Sequence, residues 1–236
     1  MFSLSLHSRI ADIAPGDWDA CAGDDNPFVS HAFLSALEES GSASARSGWL
    51  PQHAVLRDEN EAIVGIAPLY AKSHSYGEYV FDHGWADAFE RAGGSYYPKL
   101  QCAVPFSPVP GPRLLARTST HRDALVSALI RAGEDLDVSS VHVTFCSGEE
   151  QDALSSQGFL KRLGMQFHWS NAGYASFDDF LGTLASRKRK FIRKERARAA
   201  EGLRIRPLRG AEITARHWDV FHRFYRATVD KRWGQA

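Results

Sequence analysis

Strands and helices that succeed one another along the chain predict an α/β (α+β) domain over residues 1–172, followed by a separate, basic and largely helical segment over 173–236. Runs of alternating apolar residues are interleaved with stretches in which apolar residues recur every three or four positions, the order that packs helices on a sheet. The 236 residues are 44% apolar and 24% charged, enough for one large or two modest cores. Disordered, collagen-like and disulfide-scaffold chains are thereby excluded. Charge is also segregated: Arg187 to the end carries 16 basic and 5 acidic residues, net +11, against 12 basic and 23 acidic in residues 1–186, net −11. The zero overall charge hides a basic segment suited to a phosphate-bearing partner.

Leu4 and Leu6 alternate with polar residues as a strand does. Ser30 stands as an N-cap with Val29 placed to staple onto Leu34, so a helix starts there. Residues 52–56 and 62–70 read as strands joined by the polar turn Arg57-Asp58-Glu59-Asn60. They form an antiparallel hairpin whose second strand, apolar on both faces, is central in its sheet. Ala124, Leu125, Ala128, Leu129, Ala132 and Leu136 make one stripe of a helix over 120–136. A strand follows at 141–145, with Val141, Val143 and Phe145 on one face and His142 and Thr144 on the other. Ser147 and Glu150 form a capping box for a short helix that Gly158 stops, and 165–169 alternates as a last strand.

Beyond residue 172, Phe177, Phe180, Leu181, Leu184, Phe191 and Ile192 are spaced as the buried stripe of one or two helices. Residues 203–206 alternate as an edge strand, and Ile213 to Thr228 returns to helical spacing. Ile13 and Trp18-Asp19 recur 200 residues later as Ile213 and Trp218-Asp219, which points to a duplicated unit.

Cys21, Cys102 and Cys146, at long irregular spacings, make neither a disulfide framework nor a zinc site, and no His or Cys pair has metal-ligand spacing. The N-terminus lacks a basic region followed by an apolar stretch, and the longest apolar run, 62–71, is well short of the roughly 20 residues a membrane helix needs. No membrane span and a cytoplasmic location are the resulting expectations.

Residues 72–113 hold the densest mixture of titratable, aromatic, Pro and Gly residues, the composition of rigid loops on which sites are built. Glu78, Asp82 and Tyr97 are its candidate catalytic groups, with Lys72, Ser75, Tyr96 and Lys99, joined by Trp169 further along the chain, as candidates for substrate binding. His168, at a strand end beside Trp169, is a further candidate base because imidazole titrates near neutrality. The loop 105–120 leads into a helix N-terminus, where backbone N–H groups and the helix dipole suit a phosphate or pyrophosphate. Gly111 would permit close approach there and Arg113 would add charge. Neither GxxxxGK nor GxGxxG is complete and no serine sits in a GxSxG elbow, which disfavours P-loop, Rossmann and serine-hydrolase chemistry. The run Arg187-Lys188-Arg189-Lys190, with Arg193, puts cations on a helix surface that attracts phosphates of RNA, a lipid head group or a cofactor. The interleaved aromatics of single-strand binders are missing from it.

Five segments together resemble a known family: His74-Ser75-Tyr76-Gly77-Glu78-Tyr79-Val80-Phe81-Asp82; Tyr96-Tyr97-Pro98-Lys99-Leu100; Pro105-Phe106-Ser107-Pro108 with Gly111-Pro112-Arg113; Gln166-Phe167-His168-Trp169; and the basic run with Arg193-Lys194-Glu195-Arg196. They are similar to the FemAB-like proteins of peptidoglycan biosynthesis or recognition, a branch of the GNAT acyltransferase superfamily. The resemblance runs from Trp18-Asp19 to Lys231-Arg232-Trp233. It implies a GNAT-like twisted mixed sheet flanked by helices, present in two halves. Because similar family members are longer, it also implies a C-terminally truncated chain whose second half has only begun and which is inactive alone.

The activity implied is transfer of an acyl or aminoacyl group to an amine, with acyl-CoA or aminoacyl-tRNA as cosubstrate and no tightly bound cofactor. The acceptor would be a small molecule or a peptidoglycan precursor. The usual GNAT pyrophosphate loop, Q/R-x-x-G-x-G/A, is not intact here. Gly111, Arg113, Arg187, Lys188, Arg189 and Arg193 are the candidate donor-binding residues, and the general base stays open among Glu78, Asp82, Tyr97 and His168. The other reading is a non-catalytic module that binds a cell-wall precursor or another polyanion through its basic helix.

Overall fold

The computed structural model describes residues 2–233, and the chain divides into two compact units, Met1–Gln166 and Phe167–Ala236. The first unit has the expected α/β class. Its first sheet runs β1 (Ser3–His7), β3 (His53–Arg57), β4 (Ile63–Ala67), β7 (Leu115–Ala116), antiparallel throughout. Its second runs β2 (Trp49–Pro51), β5 (Leu69–Lys72), β6 (Lys99–Cys102), β8 (Val141–Val143), with β6 and β8 parallel and the other pairs antiparallel.

The predicted hairpin forms, with Ala54 opposite Ala67 and Val55 opposite Ile66. Asp58 closes its turn by accepting from the amides of Asn60 (2.9 Å) and Ala62 (3.0 Å). The second apolar run, however, does not stay in one sheet. Pro68 brings no N–H to a ladder and divides the run into β4 and β5, each central in its own sheet. The chain makes the same transfer at Gln52, between β2 and β3.

Alternation along the strands decides which helix each residue meets. Ala54 and Leu56 join Leu125, Val126 and Leu129 of α4 (Ser119–Asp135) in one cluster. Val55 and Ile66 join Trp18 of α1 (Pro15–Ala22) and Leu34 of α2 (His31–Glu39) in another. Helix starts follow their caps: Ser30 Oγ accepts from Phe33 N at 3.3 Å, and Ser147 and Glu150 complete the capping box of α5 (Gly148–Ser156). The buried Glu150 carboxylate also accepts from Arg113 N (2.7 Å) and Leu114 N (2.6 Å), tying the loop before β7 to α5. Leu136 lies just past the end of α4 and is exposed rather than part of its stripe. The polar stretch after β5, read as loops, contains a helix, α3 (His83–Arg91).

The second unit holds α6 (Phe177–Gly182), α7 (Ser186–Ala200) and α8 (Ala215–Trp233). Two expected strands are absent: 203–206 forms no strand, nor does 165–169, which straddles the boundary between the units. Alternation makes a strand only where a neighbouring edge takes its hydrogen bonds, and the pairings among the described residues include neither segment. Of the predicted helical stripe only Leu181 is buried; Phe177 and Phe191 are exposed. The sequence repeat has a local counterpart. Ile213 N bonds Gly210 O (3.0 Å) and Trp218 N bonds Thr214 O (3.3 Å), as Ile13 N bonds Ile10 O (3.0 Å) and Trp18 N bonds Ala14 O (3.1 Å). Burial separates the two, Trp18 being 0% exposed and Trp218 59%.

Candidate active site

The polar residues between 72 and 99 converge in the first unit on one buried amine. Lys99 opens β6 directly opposite Lys72, the last residue of β5. Like charges facing across a ladder repel, and both side chains are fully buried. The loop between β5 and α3 supplies the compensation. Lys99 Nζ donates to Glu78 Oε2 (2.9 Å), Asp82 Oδ2 (2.8 Å) and Ser75 Oγ (2.9 Å), which uses all three N–H groups of an ammonium. Tyr96 OH donates to the same Asp82 oxygen at 2.9 Å, and Tyr97 OH shares a 2.8 Å bond with Ser75 Oγ. Lys72 is held differently: its Nζ lies 3.7 Å over the Trp49 ring and donates to Tyr76 O at 3.2 Å.

Local sequence explains the loop. Gly77 has φ +79°, and a Cβ there would meet Phe106 at 2.6 Å and Trp49 Nε1 at 3.2 Å, so glycine lets the loop close over Trp49. Asp82 occupies the N-cap position of α3, yet its side chain makes no capping bond and turns to Lys99 instead. Tyr79, Phe81 and Phe106 have φ of 59°, 51° and 58°, a region rarely taken by residues other than glycine. This strained backbone presents exposed aromatic rings.

The cluster sets its protons apart. Burial acts to raise the Asp82 pKa, but hydrogen bonds from Lys99, Ser75 and Tyr96, together with the Lys99 charge, outweigh it and hold this carboxyl well below the usual range. Burial dominates at Glu78 and raises its pKa against the pull of Lys99. Burial and the Asp82 carboxylate both raise Tyr96. Glu78 Oε1 and Asp82 Oδ1 have no hydrogen-bond partner among the described residues, so each carboxylate keeps one buried acceptor open.

Burial pushes Lys72 down to about 7, with Glu78 opposing and the facing Lys99 adding to the shift. The unfolded chain holds this proton more tightly, with a lysine pKa of about 10.4. The Lys72 contribution to stability therefore rises with pH between those two values. Lys72→Met is expected to flatten that rise, read from urea midpoints at about pH 7 and about pH 10; an unchanged rise would place its source elsewhere.

His142 is a neighbour that sequence reasoning passed over. It pairs with Gln101 across β6 and β8, its Nε2 lies 3.0 Å from Ser140 Oγ, and its ring meets that of Tyr96 edge-on at 6.1 Å. Burial, then the Lys99 charge, lowers its pKa to about 4, leaving the ring neutral at pH 7. The alternation of 141–145 separates His142 from its apolar neighbours, but no local pattern encodes the parallel pairing that brings it to this cluster.

The expected phosphate loop differs from its prediction. Gly111 N donates to Phe145 O at 3.0 Å, and the buried Arg113 guanidinium donates to the carbonyls of Val109, Gly111 and Pro112. With amide and cation committed to internal carbonyls, these residues do not fit the pyrophosphate of an acyl-CoA. His168 and Trp169 belong to the second unit, whereas the cluster is built by the first. Trp169 stacks on Tyr174 at 6.4 Å. Arg187 and Lys188 are exposed on α7, while Arg189 donates to Gly182 O (3.5 Å) and Arg193 pairs with Asp178 (2.7 Å).

Fold and site together define an α/β unit with a buried lysine–carboxylate cluster, followed by a cationic helical unit. The chain belongs to the FemAB-like family, described as peptidoglycan biosynthesis/recognition, whose model matches residues 9–236. Among solved structures, it is similar to glucosamine-6-phosphate N-acetyltransferase from Arabidopsis thaliana, with 11% identity over 72% of this chain and 99% of that one and a TM-score of 0.39. It is also similar to wild-type TTHA1254 from Thermus thermophilus, with 16% identity over 72% of this chain and 98% of that one and a TM-score of 0.36. No curated protein matches the chain. Among the described residues no helix is long and apolar enough to cross a membrane.

Proposed function

We propose that this FemAB-like chain serves N-acyl transfer, in which an acyl or aminoacyl group passes from an acyl-CoA or aminoacyl-tRNA cosubstrate to a primary amine, with a peptidoglycan precursor as acceptor. The Lys99 cluster is the acceptor site in this reading. The observation that carries it is the pair of open, buried carboxylate oxygens, Glu78 Oε1 and Asp82 Oδ1. A protonated amine suits them because it offers several N–H donors and a charge to match.

The two carboxylates divide the work. Asp82, with its lowered pKa, stays ionised and orients the amine; Glu78, with its raised pKa, is the better proton acceptor. The ammonium gives one proton to Glu78, and its freed lone pair attacks the acyl carbonyl to form the N–C bond. The bond from that carbon to the donor's sulfur or oxygen breaks, and the leaving atom takes the electron pair and the second proton of the amine. Lys99 does not react: its bonds hold both carboxylates in place, and placement supplies much of the rate. Tyr97 and Ser75 act through Lys99 as positioning residues.

The protein incubated with acetyl-CoA or charged tRNA and amine acceptors is expected to show transfer. Glu78→Gln should then lower kcat about 10²- to 10⁴-fold, and Asp82→Asn should raise KM, in protein that remains folded by circular dichroism. No transfer above background with either donor overturns the proposal.

A further inference from the structure

The second unit carries a charged surface that acyl transfer at the Lys99 cluster does not use. Of the 15 residues of α7, SRKRKFIRKERARAA, eight are Lys or Arg and only Glu195 is acidic. Seven of these eight cations fall into two sets. Arg189, Arg193 and Arg196 turn toward the preceding helix: the first donates to Gly182 O, the second pairs with Asp178, and the third lies 4.1 Å over the Phe177 ring. Arg187, Lys190, Lys194 and Arg198 recur at the spacing that lines up residues along a helix, on the side away from those contacts. All four are exposed, and no salt bridge among the described residues involves them. Phe191 projects within this stripe, 59% exposed, between Arg187 one turn before it and Lys194 one turn after.

We propose that this outer face of α7 docks the protein on an anionic phospholipid surface. A straight stripe on a helix meets a plane of negative head groups with all its cations at once, and each cation near such a surface adds to the attraction. A lone exposed aromatic ring among cations suits the boundary between head groups and acyl chains, where rings insert while Lys and Arg stay in the polar layer. Single-stranded RNA fits less well, because its binding surfaces interleave several stacking rings with the cations. The outer stripe has one ring, and the neighbouring Trp169, Tyr174 and Phe180 pack against each other. This docking goes beyond the transfer activity and does not depend on it.

Cosedimentation with phosphatidylcholine vesicles containing about 30% phosphatidylglycerol tests it. The protein is expected to bind these, to ignore pure phosphatidylcholine, and to release as added salt shortens the screening length. The combined Lys190→Gln, Lys194→Gln, Arg198→Gln variant should lose on the order of 100-fold in partitioning, at roughly fivefold per charge. Phe191→Ala should weaken binding while leaving its salt dependence unchanged. A control that removes the same charge from the first unit, Arg46→Gln with Arg91→Gln and Arg131→Gln, should bind as the natural chain does. Equal loss in that control, an unaffected α7 variant, equal binding to pure phosphatidylcholine, or capture of polyuridylate RNA without vesicle binding would each overturn the assignment.

Discussion

Lys99→Met is expected to lower the stability of the first unit by about 3–5 kcal/mol, the usual result of removing one partner from a buried ion pair. For a chain of this size that is a fall of roughly 10 °C in melting temperature. The loss comes less from missing attraction than from what stays behind: Glu78 and Asp82 would remain buried with their shared ammonium gone. The pH dependence identifies this cause. In the natural chain Asp82 is depressed, so its stabilisation is complete above the ordinary aspartate pKa of about 3.9 and is lost as pH falls through the depressed value. The raised Glu78 works in the opposite sense. In the variant both folded carboxyls should titrate above their unfolded values, so the stability they contribute is present in acid and lost as pH rises. The variant should therefore gain on the natural chain between about pH 8 and about pH 5. Replacing all three groups by apolar ones, Lys99→Met with Glu78→Leu and Asp82→Leu, should restore much of the stability and abolish any transfer. A single variant as stable as the natural chain at every pH would show that water reaches the cluster.

Trp18→Ala is the second large effect, about 3–5 kcal/mol by urea denaturation. The indole is fully buried in a cluster with Val29, Ile66 and Leu115, and Nε1 donates to Val29 O at 2.8 Å. Its neighbour Asp19 accepts from His31 N at 2.8 Å, so one dipeptide anchors α1 to the start of α2. Trp18→Phe should cost less, about 1–3 kcal/mol, chiefly by leaving that carbonyl without a donor. The same truncation at Trp218, 59% exposed, should change stability by no more than about 0.5 kcal/mol. An equally large loss there would mean that Trp218 is covered in solution.

What the sequence disclosed follows from how far each signal reaches. Ser30, Ser147 and Glu150 act on amides three residues away, so the helix starts could be read directly. The stripe of α4 and the hairpin are also local, and both formed. The site was half legible: a dense polar loop marked Ser75, Glu78, Asp82, Tyr96, Tyr97 and Lys99 as belonging together. That Lys99 is their hub depends on Lys72 facing it across β5 and β6, a register no short window contains. His142 was passed over because its strand pairs in parallel with one about 40 residues earlier, a separation beyond any local pattern. The strands expected at 165–169 and 203–206 failed for a related reason, since alternation does not reveal whether an edge is available to pair with.

The division of the apolar run at Pro68 also bears on how the first unit comes apart. Because β4 continues into β5, and β2 into β3, neither sheet can detach without pulling residues from the centre of the other. Pro68 O also accepts from Ala103 N and Gln52 N donates to Leu69 O, both at the crossings themselves. Local opening in proteins follows units that share few bonds with the rest, and here the two sheets share their backbone. They should behave as a single cooperative block, with amide protons of Val55 and Leu100 exchanging only when the whole unit opens.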